Sequence, residues 1–137
     1  MNKRHFFSRL SGLVIGLALA AHAFAGDIVV IMAPNAAPLT KEQVTNVYLG
    51  RSLDYKPVDL PESNVTRNDF YKKATDRDAA QVKAVWSRLM FTGHGQAPKV
   101  LADAAAVKKA VAADPKSVGY IDKADVDSTV KVVLALN

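Results

Sequence analysis

Cysteine is absent from the sequence, which excludes a disulfide bond, a thiol nucleophile and a lipid-anchored N-terminal cysteine. Beyond the first 25 residues the only histidine is His94, which lies between two glycines. A catalytic base needs a partner and an orienting group, so a lone histidine in such a loop is typically a surface side chain. No HExxH, CxxC, P-loop or dinucleotide-binding pattern occurs. We therefore predict a protein that is not an enzyme, with no catalytic residue, metal site or cofactor.

Long hydrophobic runs are also absent, apart from one close to the N-terminus. Three basic residues precede the apolar run Leu10–Ala21, which is too short to span a bilayer because a spanning helix needs roughly 20 residues. Ala23–Ala25, before Gly26, has the small-x-small form of a signal peptidase site. The sequence predicts a signal peptide over residues 1–25 and a single domain over residues 26–137. We expect a periplasmic protein with no membrane span after the signal is removed.

The net positive charge is small once the predicted signal peptide is set aside. The whole chain has 18 Lys and Arg against 13 Asp and Glu, a net charge of +5. Three of these bases and no acid lie in residues 1–25, so the remainder is near +2. Nucleic-acid-binding surfaces need clustered Lys and Arg, and no such cluster is present. We predict no nucleic-acid partner.

The hydrophobic pattern indicates an α/β fold. Asp27–Met32 is a continuous apolar run typical of a buried strand. Thr40–Leu49 is predicted as a helix, because Thr40 and Gln43 match a capping box and Gly50 suits a left-handed C-cap. Further helices are predicted from the turn near residue 64 to Ala74, over Ala79–Phe91 and over Asp103–Ala112, and further strands over Tyr55–Leu60, Val118–Ile121 and Val130–Leu136. This order predicts a mixed sheet covered by helices.

One aromatic residue requires a choice between core and ligand platform. Trp86 shares an apolar helical stripe with Val82, Val85 and Leu89, at spacings that place all four on one face. We predict that Trp86 is buried against the sheet as part of the core.

The turn between the second strand and the second helix contains the candidate site. Ser63, Asn64 and Thr66 are suited to capping a helix start, where several backbone N–H groups lack intrahelical partners. The helix dipole adds a partial positive charge there, and Arg67 is close in sequence. We predict an oxyanion-binding site formed by Ser63, Asn64, Val65, Thr66 and Arg67. An ordinary capped helix, with its donors satisfied by Ser63, Asn64 and water, is the alternative that the spacing leaves open.

Three stretches, in the same order, resemble motifs of phosphate ABC transporter substrate-binding proteins. They are Leu39–Gly50, Glu62–Phe70 and Ala113–Ile121. The resemblance implies one periplasmic-binding-protein-like (type 2) lobe with a small mixed sheet flanked by helices. In that family two lobes enclose the anion, and a Ser-Gly-Thr turn at a helix N-terminus donates hydrogen bonds to phosphate.

Only some residues of this turn match those of the family's phosphate-binding turn. Asn64 stands at the position of the family's serine, Thr66 at its threonine and Arg67 at its following arginine, whereas Ser63 and Val65 replace its two glycines. The chain also has the length of one lobe only. By this resemblance the protein is a short, ABC transporter-like solute-binding protein for phosphate or a similar oxyanion.

Two hypotheses of different class follow for the function. In the first, the domain binds the anion, with a second lobe, a second copy or an envelope protein completing the cleft. In the second, ligand binding has been lost and the fold serves as an interaction or structural module in the cell envelope.

Overall fold

The computed structural model describes residues 26–137, which form five β-strands and four α-helices. The predicted signal peptide, residues 1–25, lies outside this range. The strands are β1 (Ile28–Met32), β2 (Lys56–Asp59), β3 (Lys99–Val100), β4 (Ser117–Asp122) and β5 (Lys131–Leu136). The helices are α1 (Lys41–Tyr48), α2 (Val65–Thr75), α3 (Ala79–Phe91) and α4 (Ala104–Ala113).

The strands form one sheet in the order β3-β2-β4-β1-β5, and the predicted mixed sheet is confirmed. β2 is parallel to both β3 and β4, whereas β1 is antiparallel to both β4 and β5. All five residues of β1 are buried, which explains why this strand reads as a continuous apolar run. No helix of the described residues is long and apolar enough to cross a membrane.

The predicted helix boundaries are confirmed where capping side chains mark them. The Thr40 amide donates to Gln43 Oε1 at 2.8 Å, and the Gln43 amide donates to Thr40 Oγ1 at 3.1 Å, so the capping box of α1 is complete. Gly50 follows this helix with φ +70°, the left-handed conformation that glycine adopts without steric cost. Asp78 and Gln81 form a second capping box at the start of α3.

One strand was not predicted from the sequence. β3 has only two residues, both exposed, and it pairs with the outer edge of β2 through Val58↔Lys99 and Asp59↔Val100. A two-residue strand is too short to show alternation, and Pro98 directly before it reads as a loop signal. β3 matters for function because it borders the pocket described below.

Burial of Trp86 is confirmed. The side chain is 7% exposed, and its Nε1 donates to the backbone oxygen of Tyr48 at 2.8 Å. α3 packs on α2 and carries the indole to the C-terminal end of α1. Packing of Trp86 against the sheet stays a prediction, since apolar periodicity identifies the buried face of a helix but not the element that covers it.

Candidate functional site

The start of α2 is a capped turn in which some of the backbone N–H groups already donate hydrogen bonds within the protein. Asn64 is the N-cap, and its Oδ1 accepts a hydrogen bond from the Thr66 amide at 2.9 Å. The Asn64 backbone oxygen accepts from the Arg67 amide at 3.1 Å. The amides of Ser63 and Val65 donate to no acceptor in residues 26–137. Two backbone N–H groups therefore remain available to a ligand at this end of the helix.

The side chains of the predicted site point in different directions. Ser63 is exposed and Val65 is 75% exposed. The Thr66 hydroxyl donates to Asp122 Oδ2 at 3.3 Å, at the end of β4. Arg67 is turned inward and is only 9% exposed, with its Nε donating to Asp59 Oδ2 at 3.4 Å. The five predicted site residues thus share one turn of the backbone, but the side chain of Arg67 points inward, away from the exposed side chains of Ser63 and Val65.

Asp59 is the centre of a buried polar network that was not predicted from the sequence. It lies at the end of β2, is 4% exposed, and accepts a hydrogen bond from the Leu60 amide at 2.8 Å. The Tyr71 hydroxyl donates to Asp59 Oδ2 at 2.5 Å, and the Tyr120 hydroxyl donates to Asp59 Oδ1. With Arg67, four donors satisfy this carboxylate, as a buried charge requires. The sequence contains one indication of this network, since Asp59 is an acidic residue that lies between two apolar residues of a predicted strand, Val58 and Leu60.

The hydroxyl groups around Asp59 are held in their protonated, donating form. Burial raises the pKa of Tyr71 and of Tyr120 well above the ordinary value, and the negative charge of Asp59 raises both further. For Tyr71 the guanidinium of Arg67 partly opposes this rise in the pKa. The two tyrosines therefore remain hydrogen-bond donors to the carboxylate across the physiological pH range.

Arg67 and Asp59 are the buried charged residues that line a pocket of about 200 Å³. The turn before α2 borders it on one side, α3 on another and the loop that leads into β3 on a third. Its walls are largely apolar and comprise Leu60, Val82, Trp86, Met90, Ala97, Pro98 and Val100. Ser87 is exposed at its edge, and an ion pair of 2.7 Å joins Lys83 Nζ to Glu62 Oε1. Of the five predicted site residues, Arg67 alone lines this pocket.

The guanidinium of Arg67 is only partly used by the protein. Its Nε is paired with Asp59, but neither Nη group donates a hydrogen bond to any residue between Gly26 and Asn137. In that range every fully buried side-chain nitrogen or oxygen has a hydrogen-bond partner. Because the Nη groups have no partner, they are not fully buried and are in contact with solvent. Arg67 also lines the pocket. Arg67 is therefore the principal unused cationic donor of this region.

His94 lies outside the candidate site. It is exposed, its Nδ1 is 2.8 Å from Thr92 Oγ1, and it does not line the pocket. Within the described range no group of three or more His, Cys, Asp or Glu side chains is arranged to hold a metal ion.

Two solved structures resemble this arrangement of strands and helices. An ABC-type phosphate transport receptor from Vibrio cholerae superposes with a TM-score of 0.59 at 17% sequence identity. A protein from Clostridium perfringens, assigned to the phosphate ABC transporter substrate-binding proteins and solved with bound phosphate, superposes with a TM-score of 0.64 at 18% identity. The chain has the periplasmic-binding-protein-like fold. The predicted fold class is thereby confirmed.

This periplasmic-binding-protein-like chain is much shorter than the two proteins. The superpositions cover 79% of its residues but only 45% of the Vibrio protein and 44% of the Clostridium protein. The chain therefore spans less than half of their length. No protein-family model matches the sequence, and no curated protein matches it significantly.

Proposed function

We propose that the protein is a periplasmic, non-enzymatic solute-binding domain that binds phosphate or a similar small oxyanion at the start of α2. The main observation in support is Arg67, a nine-tenths buried arginine whose Nη groups have no acceptor in the described part of the chain. Arginine binds a phosphate or carboxylate through two parallel N–H···O hydrogen bonds, and the two free Nη groups of Arg67 can form such a pair. The similarity to phosphate-binding structures points to the same class of ligand.

The backbone supports the same ligand class. Ser63 and Val65 offer free amides at the positive end of an 11-residue helix. Thr66 and Asn64 are already hydrogen-bonded within the protein, so we assign them to the support of the turn and Arg67 to the direct contact with the anion.

Affinity in the isolated domain is expected to be weak. In a two-lobed binding protein donors converge from both sides, whereas a single lobe leaves the anion partly in water, which competes for each hydrogen bond. We expect a dissociation constant on the order of 1 mM, unless a second lobe, a second copy or an envelope protein completes the cleft.

Thermal unfolding in phosphate tests this function. With about 10 mM phosphate and a dissociation constant near 1 mM, mass action adds roughly 1.4 kcal/mol to the free energy of unfolding. For a small domain this corresponds to a rise in Tm of several degrees, at about 4–8 °C per kcal/mol. Sodium chloride at matched ionic strength is the reference, because it reproduces screening without offering a tetrahedral oxyanion.

Variants separate a specific site from general anion effects. Arg67→Lys keeps the charge beside Asp59 but removes the planar fork, so it should abolish most of the phosphate-specific shift. His94→Ala is the matched control, since His94 is exposed and lies outside the pocket. Equal melting temperatures in phosphate and chloride would contradict anion binding by this domain.

A second candidate function is an interaction module of the envelope. Phe91 is 93% exposed at the end of α3, Met90 next to it is 48% exposed, and Val100 on the edge strand is 59% exposed. Met90 and Val100 line the same pocket, and contiguous exposed apolar patches are a feature of protein-binding surfaces. This candidate takes precedence if phosphate has no specific effect on stability.

A further inference from the structure

We infer that the ligand of this protein is an oxyanion attached to a compact apolar group, such as an aryl or short alkyl phosphonate or carboxylate, seated in the pocket between α2 and α3. The inference rests on the proposed function, because it uses the same Arg67 as the anion donor, and it adds the class of molecule that carries the anion.

The chemistry of the pocket walls supports an organic ligand. Inorganic phosphate has polar oxygens on every side and gains nothing from apolar neighbours, yet Trp86, Pro98 and Val100 form much of the wall. Burying about 60 Å² of apolar ligand surface suffices for a tenfold gain in affinity. A ligand with an apolar group directed at these three residues would therefore bind more tightly than free phosphate.

The size of the pocket limits the apolar group. A cavity of about 150 Å³ is known to hold benzene in another protein, whereas pockets for drug-sized ligands are roughly 300–1,000 Å³. At about 200 Å³, this pocket has room for one ring or a short chain together with one acid group. Large ligands such as nucleotides do not fit within this volume.

The geometry of Arg67 supports one acid group rather than several. Its Nε is occupied by Asp59, which leaves the two Nη groups as a single fork for one carboxylate or phosphonate. Asp59 also accepts hydrogen bonds from three other donors, so it does not depend on Arg67 alone for its charge to be stabilised. The Nη groups of Arg67 are thus available as hydrogen-bond donors to a ligand anion in the pocket, while its charge is paired with Asp59. The other cation that lines the pocket, Lys83, is paired with Glu62.

Calorimetric titration with phenylphosphonate, methylphosphonate and inorganic phosphate at matched ionic strength tests the inference. We expect the dissociation constant of phenylphosphonate to be at least about tenfold lower than that of phosphate, with methylphosphonate between them. Ser87→Phe places a ring at the exposed edge of the pocket and should remove the advantage of phenylphosphonate. Ala84→Phe adds the same ring at an exposed position of α3 that does not line the pocket, so this variant should bind as the unaltered protein does.

The outcomes distinguish this inference from the proposed function. If phosphate and phenylphosphonate bind with equal affinity, and both more tightly than chloride, the oxyanion site is supported and the inference of an organic ligand is overturned. Preferential binding of phenylphosphonate that survives Ser87→Phe would place the apolar group elsewhere and would also overturn the inference. If no phosphonate and no phosphate binds better than chloride, the proposed function and the inference both fail.

Discussion

Asp59→Ala is expected to lower the free energy of unfolding by about 3–5 kcal/mol, the usual cost of removing one partner of a buried ion pair. The variant leaves the Arg67 guanidinium without its counter-charge in a site that is only 9% exposed. It also removes the acceptor of the Tyr71 and Tyr120 hydroxyl groups, and each unsatisfied buried donor costs about 1–3 kcal/mol. Domains of this size are stable by only about 5–15 kcal/mol, so a large share of the total would be lost.

Urea denaturation followed by circular dichroism measures this effect. Asp59→Asn keeps the shape and one acceptor oxygen but removes the charge, so it should lie between the unaltered protein and Asp59→Ala. Asp125→Ala is the matched control, because Asp125 is exposed and surface substitutions usually change stability by less than about 0.5 kcal/mol. A loss below about 1 kcal/mol in Asp59→Ala would show that the network contributes little to the fold.

Trp86→Ala should have an effect of similar size through a different mechanism. Truncating a buried tryptophan costs about 3–5 kcal/mol, because apolar contacts are lost and a cavity remains. Here the hydrogen bond from Nε1 to the Tyr48 backbone oxygen is lost as well, so the contact between α3 and the end of α1 should loosen. The measurement is again the free energy of unfolding in urea.

Trp86→Phe is the intermediate variant. It keeps one aromatic ring in the core and loses the indole N–H together with part of the buried apolar surface, so it should retain more than half of the stability that Trp86→Ala loses. If Trp86→Ala unfolds like the unaltered protein, Trp86 contributes to the pocket wall and not to the stability of the core.

The helices could be predicted because their signals are local. Thr40 with Gln43 and Asp78 with Gln81 fix the starts of α1 and α3 within four residues of sequence; the predicted box of α1 is confirmed, and the structure shows a second one at α3. The mixed sheet followed from the alternation of apolar runs and helical patterns. These features depend on neighbours along the chain, which the sequence displays directly.

The pocket could not be predicted because it depends on distant contacts. Asp59 meets Tyr120 across 61 positions of sequence, and Trp86 meets the Tyr48 backbone across 38. The direction of the Arg67 side chain is likewise decided by a buried carboxylate eight residues away, not by the capping sequence around it. The sequence therefore indicates the turn where Arg67 begins, whereas the ion pair with Asp59 determines where its guanidinium lies.

The most direct test of anion binding is a residue-resolved NMR titration with inorganic phosphate, with chloride at matched ionic strength as the reference. We predict saturable, phosphate-specific shifts of the Arg67 guanidinium and the Val65 amide, with a midpoint on the order of 1 mM, and no such shift at Ala84. Identical spectra in phosphate and chloride at Arg67 and Val65 would contradict the assignment of the start of α2 as an oxyanion site.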